Sequence, residues 1–112
     1  MTTIAKPLVA SKYAENATTT QYTCPTGTRT IVDKFTGTNS SGATQTLSVY
    51  VVPSGGSAGA SNQITVTKSL AAGEVYTFPE IVGQVLGAGE FISTLASAAS
   101  AIVIRASGRE IT

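Results

Sequence analysis

The chain reads as an all-β protein: a single jelly-roll-like antiparallel β-sandwich of about eight strands, preceded by an extended N-terminal arm. Apolar and polar residues alternate with period two in several runs, most plainly at Leu47, Val49 and Val51. That alternation marks a strand with one buried face. A corner motif also occurs twice, as Leu70-Ala71-Ala72-Gly73-Glu74 and as Leu86-Gly87-Ala88-Gly89-Glu90. Gly supplies a φ > 0 position there without a steric cost. Turn signals recur at roughly 8–12-residue spacing, as in sandwiches, and no run keeps a helical repeat.

Residues 1–16 show no clear period and are expected to form an arm, separable from the sandwich at 17–112. Its apolar residues Ile4, Leu8 and Val9 are the candidate contacts to a neighbour, since a free arm has no reason to be apolar there. Thr18 to Cys24 is the first expected strand, ended by Pro25, and Gly27 turns the chain. Thr28 to Thr38 follows, with Ile31, Asp33 and Phe35 expected on one side and Thr30, Val32 and Lys34 on the other. Asn39 to Gly42 is a turn cluster, Thr44 to Val52 a strand, and Pro53 to Ser61 a flexible loop. Ile64 to Leu70 and Val75 to Phe78 are strands on either side of the Gly73 corner. Glu80 to Leu86 fits a short strand or a single helical turn equally well. Phe91 to Leu95 follows the Gly89 corner, and Ala101 to Ser107 is strand-like until Gly108 interrupts it as a last corner.

Composition narrows the chemistry. Only 12% of the 112 residues are charged, about half the usual share of ~25%. Hydroxyls and methyls replace the charges, and such a surface loses little solvation on meeting another protein. Net charge is +1 and the seven Lys and Arg residues are scattered. A nucleic-acid binder clusters its cations and adds stacking aromatics, so nucleic acid is not an expected partner. No apolar run approaches the ~18 residues of a membrane span, so no membrane partner is expected either. Cys24 is alone, so no intrachain disulfide forms, as suits folding in a reducing cytoplasm.

Histidine is absent, which removes the commonest general base. The six carboxylates share no metal-ligand or calcium-loop spacing. No catalytic residue, metal ligand or cofactor is therefore expected. Glu74 and Glu90, each next to a corner glycine, are suited to capping backbone groups. Tyr13, Tyr22, Tyr50 and Tyr76 are core or interface residues, with sugar stacking as the alternative.

The order of motifs is more specific than any one of them. It runs Tyr22-Thr23-Cys24-Pro25-Thr26-Gly27-Thr28, Leu47-Ser48-Val49-Tyr50-Val51, the two Leu-x-x-Gly-Glu corners, and Ile104-Arg105-Ala106-Ser107-Gly108-Arg109-Glu110-Ile111. Over residues 17–112 this resembles a class of small tailed-phage virion proteins. The resemblance implies a non-enzymatic homo-oligomer located in the virion, on the capsid surface. Its partner would be the major capsid protein or another virion protein. The first expectation is a capsid decoration, or cement, protein that bridges capsomers. A tail, neck or fibre component is the alternative within that class, and a carbohydrate-binding module the alternative outside it. Gly27, Gly73, Gly89 and Gly108 are the expected structural corners.

Overall fold

A computed structural model describes residues 2–112. Its strands are β1 (Thr3–Tyr13), β2 (Thr19–Thr23), β3 (Arg29–Asn39), β4 (Gln45–Val52), β5 (Gln63–Leu70), β6 (Val75–Thr77), β7 (Val85–Leu86), β8 (Phe91–Ala96) and β9 (Ile102–Ile111). A single 3-10 turn, Ala60–Asn62, is the only helical element among the described residues. The strands form two antiparallel sheets. One has the order β1-β9-β3-β6, with β7 also on β3; the other has the order β2-β8-β4-β5.

The pairing is nested. β4 pairs with β5, β3 with β6, β2 with β8, and β1 with β9. This is one long hairpin rolled up so that successive pairs alternate between the sheets, which is the double Greek key of a jelly roll. β7 is a short addition in the connection before β8.

The core lies between the sheets. Val32, Phe35, Leu47, Val49, Leu70, Phe78, Ile81, Leu86, Ile92, Ile102 and Ile104 are fully buried there. Each such side chain contributes roughly 1.5–3 kcal/mol on leaving water. Phe78 is central, meeting Phe35 edge-on at 5.4 Å between ring centroids and Tyr76 at 4.8 Å. Gly37 leaves room for it, since a Cβ at that position would come 2.9 Å from the Phe78 ring.

The structure corrects the sequence reading at three places and settles a fourth that the sequence left open. Residues 1–16 are not a separable arm: Thr3–Tyr13 is the first jelly-roll strand and covers the edge of β9. Two register shifts, between Pro7 and Val9 and between Val9 and Lys12, hide its alternation. The extra residue lets the sequence neighbours Leu8 and Val9 both enter the core. Ile4 alone of the three proposed contacts is open, at 50% exposure. In β3, a bulge at Asp33 reverses the facing partway along. Thr30, Val32 and Phe35 point inward as a result, while Asp33 and Lys34 are both exposed. Glu80 to Leu86 resolves as a turn followed by the two residues of β7. Gly108 is not a corner but an interior residue of a continuous β9.

Candidate interaction surface

The repeated corner is a self-capped turn. Gly73 and Gly89 have φ of +78° and +82°, and Gly27 has +75°. In each copy the Glu side chain reaches back three residues. Glu74 Oε1 accepts the Ala71 N–H at 2.8 Å, and Glu90 Oε1 accepts the Gly87 N–H at 2.5 Å. The same pairs close a backbone turn, with Glu74 N–H donating to Ala71 O and Glu90 N–H to Gly87 O. Gly108 serves a different purpose. A Cβ there would fall on the Ile31 carbonyl oxygen and 2.9 Å from Leu8 Cδ1, so its missing side chain lets β9 lie close to β3.

Each of the six Asp and Glu side chains accepts a hydrogen bond within the fold. Glu15 accepts from Lys12 Nζ and Gln21 Nε2, and Asp33 takes a two-pronged contact from Arg109. Glu80 accepts from Thr65 Oγ1 at 2.7 Å, and Glu74 and Glu90 cap their turns. Glu110, on the inward side of β9, accepts from Lys6 Nζ at 3.3 Å and from the Tyr22 hydroxyl. Tyr22 comes from the opposite sheet, so this contact pins the two layers together. Its oxygen also lies 2.7 Å from Thr30 Oγ1, whose one proton can go to Tyr22 or to Cys24 Sγ, 3.2 Å away. Burial first, then the Glu110 contact, raises the Tyr22 phenol well above its ordinary pKa. Lys12 and Gln21, as hydrogen-bond donors, lower that of Glu15.

This cluster is built for cohesion. Cys24 is buried, and its thiol donates to the Thr28 carbonyl at 3.2 Å. An open hollow of about 550 Å³ lies nearby, between the Gly27–Arg29 turn, Gly87, Ala88, Ile111 and Thr112, and Arg29 is its only side chain with an ionisable group. Among the described residues, no group of three or more His, Cys, Asp or Glu is placed to hold a metal ion.

The outward faces of the two sheets differ in charge. Across β2, β4, β5 and β8 there is one charged side chain, Lys68, whose ammonium lies 4.4 Å from the centre of the Tyr76 ring. Leu47 and Val49 face the core, so Ser48 and Tyr50 face outward. They align in register with Leu95 and Ser93 of β8. Ser48, Tyr50 and Ser93 are themselves buried by their neighbours, so the open part of this uncharged side is carried by Thr20, Leu95, Ile64 and Val66. Ile64 and Val66 stand exposed on the outer edge, Val66 at 68%. That edge is blunted by a bulge where Thr67 adopts φ of 47°.

The five-stranded sheet has the opposite character. Along β9, Val103, Arg105, Ser107, Arg109 and Ile111 alternate with buried residues and therefore point outward. Register places Thr36 beside Arg105, Lys34 beside Ser107, and Arg29 beside Ile111. Arg29, Lys34, Arg105 and the Asp33–Arg109 pair thus share one face. A row formed by Tyr13, Val103, Thr38 and Val75 crosses four strands at one end of it. None of this is visible in the linear order, because only strand pairing collects these residues.

The tyrosines do not form one platform. Tyr13 is 48% exposed on the five-stranded sheet, Tyr50 is buried on the other, and Tyr22 and Tyr76 pack against the core. No protein-family profile matches the chain, and no curated protein matches its sequence. A chain in a solved structure of infectious bursal disease virus, Gt strain, aligns with 97% of this chain at 9% identity and a TM-score of 0.40. This chain spans 32% of that neighbour's length. The jelly-roll assignment rests on the strand pairing described above and not on that likeness.

Proposed function

We propose that the chain is a non-enzymatic structural protein of a tailed-phage virion: a capsid decoration protein that forms homo-oligomers and stabilises the head by bridging capsomers. The observation that carries this reading is the uncharged four-stranded sheet. Burying a charge without a partner costs several kcal/mol, and burying hydroxyls and methyls costs far less. A sheet with a single charged residue, itself folded onto an aromatic ring, is suited to be covered by protein. The jelly roll adds support by analogy, since it is a scaffold of viral capsid domains and of lectins. The scattered tyrosines weigh against the lectin use.

Bridging on this reading is done by sheet faces and not by strand donation. β1 is already consumed in its own sheet. Many copies acting together make modest individual contacts sufficient. The test is the stoichiometry of the chain in purified particles, from quantified protein bands or mass spectrometry. Decoration predicts copies on the scale of the major capsid protein. Copies far below that would move the chain to the tail, neck or fibre, and its absence from particles would refute a virion role.

A further inference from the structure

The seven cations do not share the fate of the six carboxylates. Lys6, Lys12 and Arg109 are in ion pairs, and Lys68 lies over Tyr76. Arg29, Lys34 and Arg105 have no acidic partner among the described residues, and all three are exposed on the outer face of the five-stranded sheet. We infer that this face docks onto an acidic protein surface, with Arg29, Lys34 and Arg105 supplying the complementary charge. The inference rests on reading the chain as an assembly component, and it names the chemistry of the partner.

The choice of occupant follows from charge. A second copy of the chain is poorly supplied with acidic groups. Glu15, Asp33 and Glu110 are already in ion pairs. Glu74, Glu80 and Glu90, which have no cationic partner, sit apart in turns where each is tied to Ala71 N–H, Thr65 Oγ1 or Gly87 N–H. Nucleic acid fits poorly. Backbone recognition of that kind engages ~6–10 phosphates and is usually joined by stacking aromatics. Here three cations are interleaved with Ile31, Val103 and the hydroxyls of Thr36 and Thr38. Arg beside aliphatic and aromatic groups is the composition of protein interfaces. From Arg29 to Thr36, the neighbour of Arg105, the stripe runs roughly 23 Å at ~3.3 Å per residue. That length suits a standard patch of about 800 Å² per partner.

The inference is tested with the full chain and with particles purified from a phage lacking it. Wild type, the triple variant Arg29→Glu/Lys34→Glu/Arg105→Glu, and the end-loop control Ala72→Glu are each mixed with particles and sedimented. The expected result is that wild type and control attach and that attachment weakens as salt rises, while the triple variant loses roughly tenfold or more in apparent affinity. Circular dichroism establishes that the triple variant is folded. Carbodiimide treatment of wild-type particles supplies a second reading that needs no variant. It should join Lys34 Nζ to an Asp or Glu of a neighbouring protein. Equal attachment of wild type and triple variant, or carbodiimide products that avoid Lys34, overturns the inference and leaves the virion role standing. Wild type that attaches to no particle overturns the virion role itself. Binding of duplex DNA or of phosphatidylserine vesicles that depends on the same three residues overturns the choice of a protein partner.

Discussion

Replacing Gly108 with Ala should be far more damaging than replacing Gly73 with Ala, although Gly73 has the unusual backbone conformation. At Gly73, φ is +78° and no atom lies within 4 Å of where a Cβ would sit. The cost there is conformational alone, ~1–2 kcal/mol for an L-residue in the left-handed region. At Gly108 the new methyl meets the Ile31 carbonyl oxygen. Leu8 Cδ1, 2.9 Å away, can rotate aside, but the carbonyl belongs to β3 and moves only with its strand. Overpacking of this kind costs ~1–3 kcal/mol, occasionally more. The shift would break about two backbone hydrogen bonds between β9 and β3, each worth about 1 kcal/mol. The sum is roughly 3–5 kcal/mol, a large share of the ~5–15 kcal/mol available to a domain. Thermal melts should show a drop of roughly 12 °C or more for Gly108→Ala, against about 4–12 °C for Gly73→Ala. Gly42→Ala, with open space and no positive φ, is the control and should be near neutral. A Gly108→Ala variant as stable as Gly73→Ala would refute the close approach of β9 to β3.

The remaining predictions concern the first strand, the inter-sheet pin and the ion pair. Leu8→Ala should cost ~2–5 kcal/mol by urea unfolding, and a chain lacking residues 2–13 should fail to give a cooperative melt; a normal melt would restore the separable arm. Tyr22→Phe should lower stability by ~1–3 kcal/mol at neutral pH, because Glu110 and Thr30 lose a buried partner. The folded state favours the protonated phenol, so that contribution is intact below pH 10.0, the unfolded value, and is lost as pH rises toward the higher folded value. Wild type should therefore lose stability above pH 10 more steeply than Tyr22→Phe, and parallel curves would show that Tyr22 is not held protonated by the fold. Asp33→Asn should change stability by no more than ~1 kcal/mol, since its pairing with Arg109 is exposed; a larger loss in denaturant titrations would mean that the pair is structural.

What the sequence disclosed follows from where the β ladder is regular. Leu47, Val49 and Val51 sit in a strand without irregularity against β8, and their alternation reads directly as an inward face. Gly73 and Gly89 announce corners because their conformation is local and needs no tertiary partner. β1 stays hidden because two register shifts bring Leu8 and Val9 to the same side, and Pro7 and Lys12 imitate a loop. The facing of β3 is misread for the same reason, since one extra residue at Asp33 reverses everything beyond it. Gly108 resembles a breaker in sequence, and only the position of Ile31 shows that it allows close packing. The charge asymmetry between the sheets depends on pairing register across distant segments, so Arg29, Lys34 and Arg105 look scattered until β3 and β9 are laid side by side.

The most direct measurement is the thermal disruption of heads that lack the chain, before and after the purified protein is added back. Release of packaged DNA, followed by dye fluorescence during heating, reports the event. A protein that bridges capsomers should raise the release temperature in proportion to occupancy, up to saturation of its sites. The triple variant at Arg29, Lys34 and Arg105 should raise it little at the same concentration. Full occupancy by wild-type protein with no change in release temperature would contradict the account.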